Sequence, residues 1–111
     1  MQDMIDSARR AISYVADMTE AEFFDSWRAQ DAVAWPLIVI GEAASRLPKD
    51  TPARIPQLPW KSIINMRHRL VHEYESVRND IVWATVSMDL QPMIDVLTRF
   101  LSERVNPPSS P

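Results

Sequence analysis

The chain has 111 residues, 46% of them apolar, a formal net charge of -3, a single glycine and no cysteine. That length suits one domain around one core, the missing cysteine excludes a disulfide framework and a thiolate metal site, and the acidic balance excludes a broadly basic nucleic-acid surface. Long stretches of helix periodicity without glycine-rich turns exclude a sheet protein and leave an all-α class.

A first helix is expected from Asp3 to about Met18, because Met4, Ile5, Ala8, Ala11, Ile12 and Val15 recur at three and four, opposite Asp6, Arg9, Arg10 and Asp17. Thr19 followed by Glu22 has the spacing of a capping box, so a second helix starts near Glu20, with Phe23, Phe24 and Trp27 as its core contacts. From Asp31 to Leu47 the pattern is apolar nearly all round until Glu42, as in the most buried helix of a bundle. Pro36 bends it, and Asp31 is the alternative cap of a fresh start. Gly41 costs such a helix about 1 kcal/mol against alanine, so together with Ala43 and Ala44 it marks the close approach of another backbone. Glu42, beside that contact, is either the partner of an arginine from a later helix or a solvated carboxylate.

Pro48, Pro52, Pro56 and Pro59 exclude regular helix between them, and Pro59 suits the first position of a helix running on from Trp60. Residues Glu75 to Arg78 read as a connection, with Asn79 or Asp80 capping a last stretch through Ile81, Val82 and a core Trp83 to Arg104, bent or divided at Pro92. One helical domain, 1–104, is thus followed by an expected disordered tail, 105–111. The longest apolar run, Ala32 to Ile40, is broken by Pro36 and too short to span a bilayer. The first residues lack the charged-then-apolar order of a signal peptide, so a cytoplasmic location is expected.

The chemistry concentrates between Asn65 and Tyr74, where Arg67, His68, Arg69 and His72 stand close together. On a helical wheel Trp60, Ile63, Ile64, Met66, Leu70, Val71 and Tyr74 form one apolar arc, and Arg67 falls near its centre. A charge there needs a partner or a ligand. Arg67 and His72 supply what metal-free cleavage of RNA requires: a permanent cation for the charge that develops at phosphorus, and a side-chain type that titrates near neutrality to move the 2′-hydroxyl proton. An ideal helix sets these two about 140° apart, so either the last turn unwinds before Tyr74 or the pair lines a groove formed with a second copy of the same helix. The competing structural reading pairs Arg67 with Glu42 and leaves His72 at the helix C-terminus, favoured there by the dipole. His68 and His72 also have zinc-helix spacing, but with no glutamate between them and Arg69 adjacent, neither a metal nor any other cofactor is expected. Tyr74 lies within about 20° of Arg67 if the helix persists that far, as a rim residue or as a phenol open to modification by a nucleotidyl group.

Arg67, four residues, His72, one residue, Tyr74 resembles the signature of HEPN-domain toxins of the HepT-like family. Blocks around Asp31-Ala32-Val33, Ile40-Gly41-Glu42-Ala43-Ala44, Pro59-Trp60, Leu70-Val71-His72 and Ile81-Val82-Trp83 follow in family order, over most of the chain from Thr19 to about Leu101. The resemblance implies an antiparallel four- to five-helix HEPN bundle that dimerises, and a type VII-like toxin acting as a metal-independent RNase through Arg67 and His72. His68, Arg69 and Glu42 would be auxiliary. Its partner would be an MntA-like nucleotidyltransferase antitoxin that uses ATP to place AMP on Tyr74. The family usually has asparagine where this chain has His68 and aspartate where it has Arg78. The rival expectation is a non-catalytic helical binding subunit of a two-component nucleotidyltransferase.

Overall fold

The computed structural model describes residues 1–105, and among these every regular element is helical. The elements are α1 (Gln2–Val15), α2 (Glu20–Phe24), α3 (Trp27–Ser45), α4 (Thr51–Arg54), α5 (Trp60–His72), α6 (Asn79–Ala84) and α7 (Leu90–Val105). A 3-10 turn (Tyr74–Ser76) follows α5, and a π turn (Thr85–Asp89) joins α6 to α7. The long helices α1, α3 and α5 with the α6–α7 run make a helical bundle, and α2 and α4 are short connectors. Val105 still belongs to α7, and the rest of the expected tail lies outside the described residues. No described helix is long and apolar enough to cross a membrane.

The apolar stripe of α1 is the centre of the core: Met4, Ala8 and Ala11 are wholly buried, and the helix lies between α3 and α7. Alanines at a helix crossing let the axes approach closely, and Val33, Leu37 and Ile40 of α3 with Met93 and Leu97 of α7 are buried in the same core. The other side of α3 packs on α5, which makes α5 a flank of the bundle.

Local signals account for the helix ends. The capping box is formed, with the Glu22 amide donating to the Thr19 hydroxyl at 3.2 Å and the Thr19 amide donating to the Glu22 carboxylate at 2.9 Å. The helix it starts is shorter than expected, because Ser26 caps a new one by accepting from the Ala29 amide at 3.1 Å. Trp27 therefore opens α3, and Asp31 lies inside that helix instead of capping it. Of the three aromatics expected in the core only Phe23 is buried, resting against half-buried Trp83 with ring centroids 5.3 Å apart. Phe24 and Trp27 face outward, because the corner between α2 and α3 turns their side of the chain away from α1. Gln30 fastens that corner by donating to the carbonyls of Phe23 and Phe24, both at 3.0 Å.

The proline-rich connection contains one helical turn, α4, where regular helix was not expected. Pro52 is tolerated there because it sits in the first turn, where its missing N–H would have had no partner. Trp60 anchors the start of α5 by donating its indole N–H to the Ile55 carbonyl at 2.9 Å. Neither Asn79 nor Asp80 caps α6. Arg78 occupies that position, and its guanidinium engages Asp80 at 3.1 and 2.6 Å, holding that carboxyl below its usual range. Pro92 lacks the N–H that would bond the Met88 carbonyl, and the chain absorbs the misfit in the π turn just ahead without breaking the helix.

Candidate active site

Gly41 and Arg67 define where α3 and α5 meet. A Cβ on Gly41 would overlap the Cβ of Arg67, lie 3.0 Å from its Cγ and come within 3.1 Å of the Ile63 carbonyl oxygen. The glycine thus admits the arginine stem, and the stem carries the guanidinium along α3 to the next residue, Glu42. Arg67 Nη2 lies 3.2 Å from one Glu42 oxygen, while Arg46 holds the other at 2.9 Å. Both partners of the Arg67–Glu42 pair are about one-third exposed, so the contact adds little stability, of order 0–1 kcal/mol, and mainly sets direction. Arg67 Nε is buried and has no hydrogen-bond partner among the described residues. The guanidinium therefore keeps donor capacity beyond its carboxylate.

Helix α5 is regular through His72 and closes with the Glu73 amide donating to the Arg69 carbonyl at 2.8 Å. The backbone departs from helix only at Glu73, with φ -136° and ψ 39°. Unwinding thus redirects Tyr74 and leaves His72 on the helix, about 140° around the axis from Arg67. The arc between them holds Ile64, His68 and Val71, all exposed, with Ile64 at 36% and Val71 at 44%. His68 and His72 lie one turn apart with ring centroids at 4.7 Å, and no cluster of three or more histidine or carboxylate ligands forms among the described residues. Arg69 is not brought to Arg67. It lies on the other side of α5, on a cleft of about 640 Å³ bounded by that helix and the α6–α7 run, with Met66, Val77, Ile81 and Met93.

Because the helix stops, Tyr74 does not continue the wheel toward Arg67. Its hydroxyl donates to the Asp31 carboxylate, 43 residues earlier on α3. Partial burial, reinforced by that hydrogen bond and by the charge of Asp31, pushes the Tyr74 phenol up from the usual 10 to about 12. In the sequence Asp31 reads as an alternative cap and as part of a family block, not as a site residue. A signal was present, since Asp31 and Glu42 are eleven residues apart and so only about 20° apart on the wheel: two acids on one face of an otherwise apolar helix. That face also carries Trp27 and Trp35, which are 66% and 59% exposed.

The raised phenol makes a titration prediction. The folded state holds the Tyr74 proton more tightly than the unfolded chain does, so this group's contribution to stability is complete below pH 10 and is lost as the pH rises from 10 toward about 12. In a Tyr14→Phe background, phenolate absorbance should follow Tyr74 alone and report ionisation well above pH 10, and Asp31→Asn should bring it down. Ionisation at the usual value in both proteins would mean that the hydrogen bond does not form in solution.

A family model described as ribonuclease HepT-like matches residues 4–100. The chain is 36% identical over 86 residues to "Putative RNase MJ0127" of Methanocaldococcus jannaschii, covering 78% of this chain and 71% of that one. It is 30% identical over 93 residues to "Probable ribonuclease HepT" of Thermococcus cleftensis, covering 80% and 84% respectively. No solved structure matches the chain significantly.

Proposed function

The chain belongs to the HepT-like ribonuclease family, and from that premise we propose that it is the toxin of a type VII-like toxin–antitoxin pair, a homodimeric, metal-independent endoribonuclease of the cytoplasm. Arg67 and His72 are its active pair. Its antitoxin is an MntA-like nucleotidyltransferase that silences it by transferring AMP from ATP to Tyr74. The chain itself needs no cofactor.

The surface between Arg67 and His72 carries this reading. A residue pair about 140° apart on one straight helix cannot close on a phosphate alone. The arc between them, however, is an exposed apolar strip of Ile64 and Val71, continued on α3 by Trp27 and Trp35. A second copy seated on that strip by a two-fold axis brings each Arg67 and each His72 to the edges of one groove. In that groove the 2′-hydroxyl oxygen of RNA bonds to the adjacent phosphorus and the bond to the 5′-oxygen breaks. His72 moves the proton, and the Arg67 guanidinium takes the charge that builds on the phosphoryl oxygens. Glu42 holds the guanidinium in register before RNA arrives, His68 lies on the arc between the active pair as an auxiliary polar group, and Arg69 adds a cation on the opposite side of α5.

Expression of the chain alone is expected to arrest growth and degrade cellular RNA, and His72→Ala to be harmless. Ile64→Glu with Val71→Glu should give a monomer in sedimentation and remove cleavage together with the dimer. Harmless expression of the native chain would instead favour the rival reading, a non-catalytic subunit in which the Arg67–Glu42 ion pair is purely structural. Intact mass after incubation with an MntA-like nucleotidyltransferase and ATP tests the silencing arm: an added AMP that Tyr74→Phe abolishes is expected.

A further inference from the structure

We propose that Asp31 is the base of the modification step: it orients the Tyr74 hydroxyl and takes its proton as AMP is transferred. This rests on Tyr74 being the acceptor. The hydroxyl donates to the Asp31 carboxylate, and Asp31 makes no other side-chain hydrogen bond or ion pair among the described residues. Glu42, the other acid on that face of α3, is already engaged by Arg46 and Arg67. Tyr74 sits on the 3-10 turn beyond the end of α5, and at 45% exposure its ring is open to an approaching enzyme.

The contact joins α3 to a surface turn and, whatever it adds to stability, leaves a carboxylate touching the acceptor oxygen. A neutral phenol is a weak nucleophile, and a carboxylate beside it disfavours phenolate formation in advance of attack. The proton must therefore leave while the new bond forms, to a base already in contact with the hydroxyl. Asp31 is in hydrogen-bond contact with the Tyr74 hydroxyl and is placed to be that base. In the step itself the phenolic oxygen bonds to the α-phosphorus of the nucleoside triphosphate, and the bond from that phosphorus to the oxygen bridging the β-phosphorus breaks. Pyrophosphate departs, and the phenol proton passes to Asp31 and then to solvent. The product carries a phosphodiester anion beside the Asp31 carboxylate and has no proton to donate, so the original contact cannot re-form.

The test follows AMP transfer by intact mass over time, with the purified chain, a purified MntA-like nucleotidyltransferase, and ATP with magnesium. Asp31→Asn keeps the shape of the acceptor but cannot take a proton. It is expected to slow transfer by about 10²-fold or more near neutral pH, with an unchanged helical circular dichroism signal. Its residual rate should climb about tenfold per pH unit between roughly pH 7 and 9, as hydroxide removes the proton beforehand, while the native rate stays flat. Added formate should restore transfer to Asp31→Ala, which a purely structural role would not allow. Native rate and native pH profile in Asp31→Asn, with Tyr74→Phe unmodified, would overturn the role of Asp31 and leave the acceptor standing. A native chain that gains no AMP, or a Tyr74→Phe variant that gains as much, would overturn both.

Discussion

If His72 is the proposed general acid–base group, alanine there is expected to slow RNA cleavage by the purified protein by about 10²- to 10⁴-fold. Its melting temperature should hardly change, because the imidazole is exposed on the last turn of α5 and surface substitutions of this kind stay within about 0.5 kcal/mol. Arg67→Ala should remove activity by a comparable factor, since a donor aimed at developing charge contributes about 10²- to 10³-fold. Arg67→Lys should recover only part of that, because an ammonium keeps the charge but not the planar fork that reaches Glu42 and, in the proposed reaction, a phosphate as well. Cleavage of an unstructured RNA, measured beside thermal melting, separates these variants from unfolded ones. Full activity in His72→Ala would move proton transfer to another group, and its neighbour His68 would be the next to substitute.

Gly41→Ala is expected to damage the protein although it adds only one methyl group. In an exposed helix the change would gain about 1 kcal/mol. Here the methyl overlaps the Cβ of Arg67, an atom rooted in the α5 backbone that cannot rotate away as a side-chain tip would, and it also presses on the Ile63 carbonyl. Overpacking of this kind costs about 1–3 kcal/mol, so a net destabilisation of up to about 2 kcal/mol is expected in urea denaturation. The larger effect should appear in activity: α5 must move outward, and a displacement of roughly 1 Å at a catalytic group can cost about 10²-fold. A variant as stable and active as the native protein would mean that α3 and α5 lie further apart than the structure places them.

Several features were legible from residue spacing alone. The stripe of α1, the capping box at Thr19 and Glu22, the close approach at Gly41 and a candidate partner for Arg67 in Glu42 follow from helical period, reciprocal capping and the rule that a charge in an apolar arc needs a partner. The all-α class was readable at the same level, whereas the family likeness rests on a resemblance of motifs in order along the chain. Those signals are local, or depend only on which face of a helix a residue occupies.

Tertiary structure decided what the period cannot encode, namely which neighbour covers each face and where a helix stops. Trp27 and Trp35 were apolar enough for a core, yet the corner at Ser26 and the packing of α3 leave them outside. The break at Glu73 comes one residue after His72, so the helix holds the histidine away from Arg67 and frees Tyr74 to reach Asp31 across 43 residues of sequence. Composition and period determined that this is a helical protein with an arginine, two histidines and a tyrosine gathered at one helix end. Only the packing of α3 on α5 decided that the arginine faces Glu42 and the tyrosine Asp31, because a contact between residues distant in sequence exists only once the helices that carry them are in place.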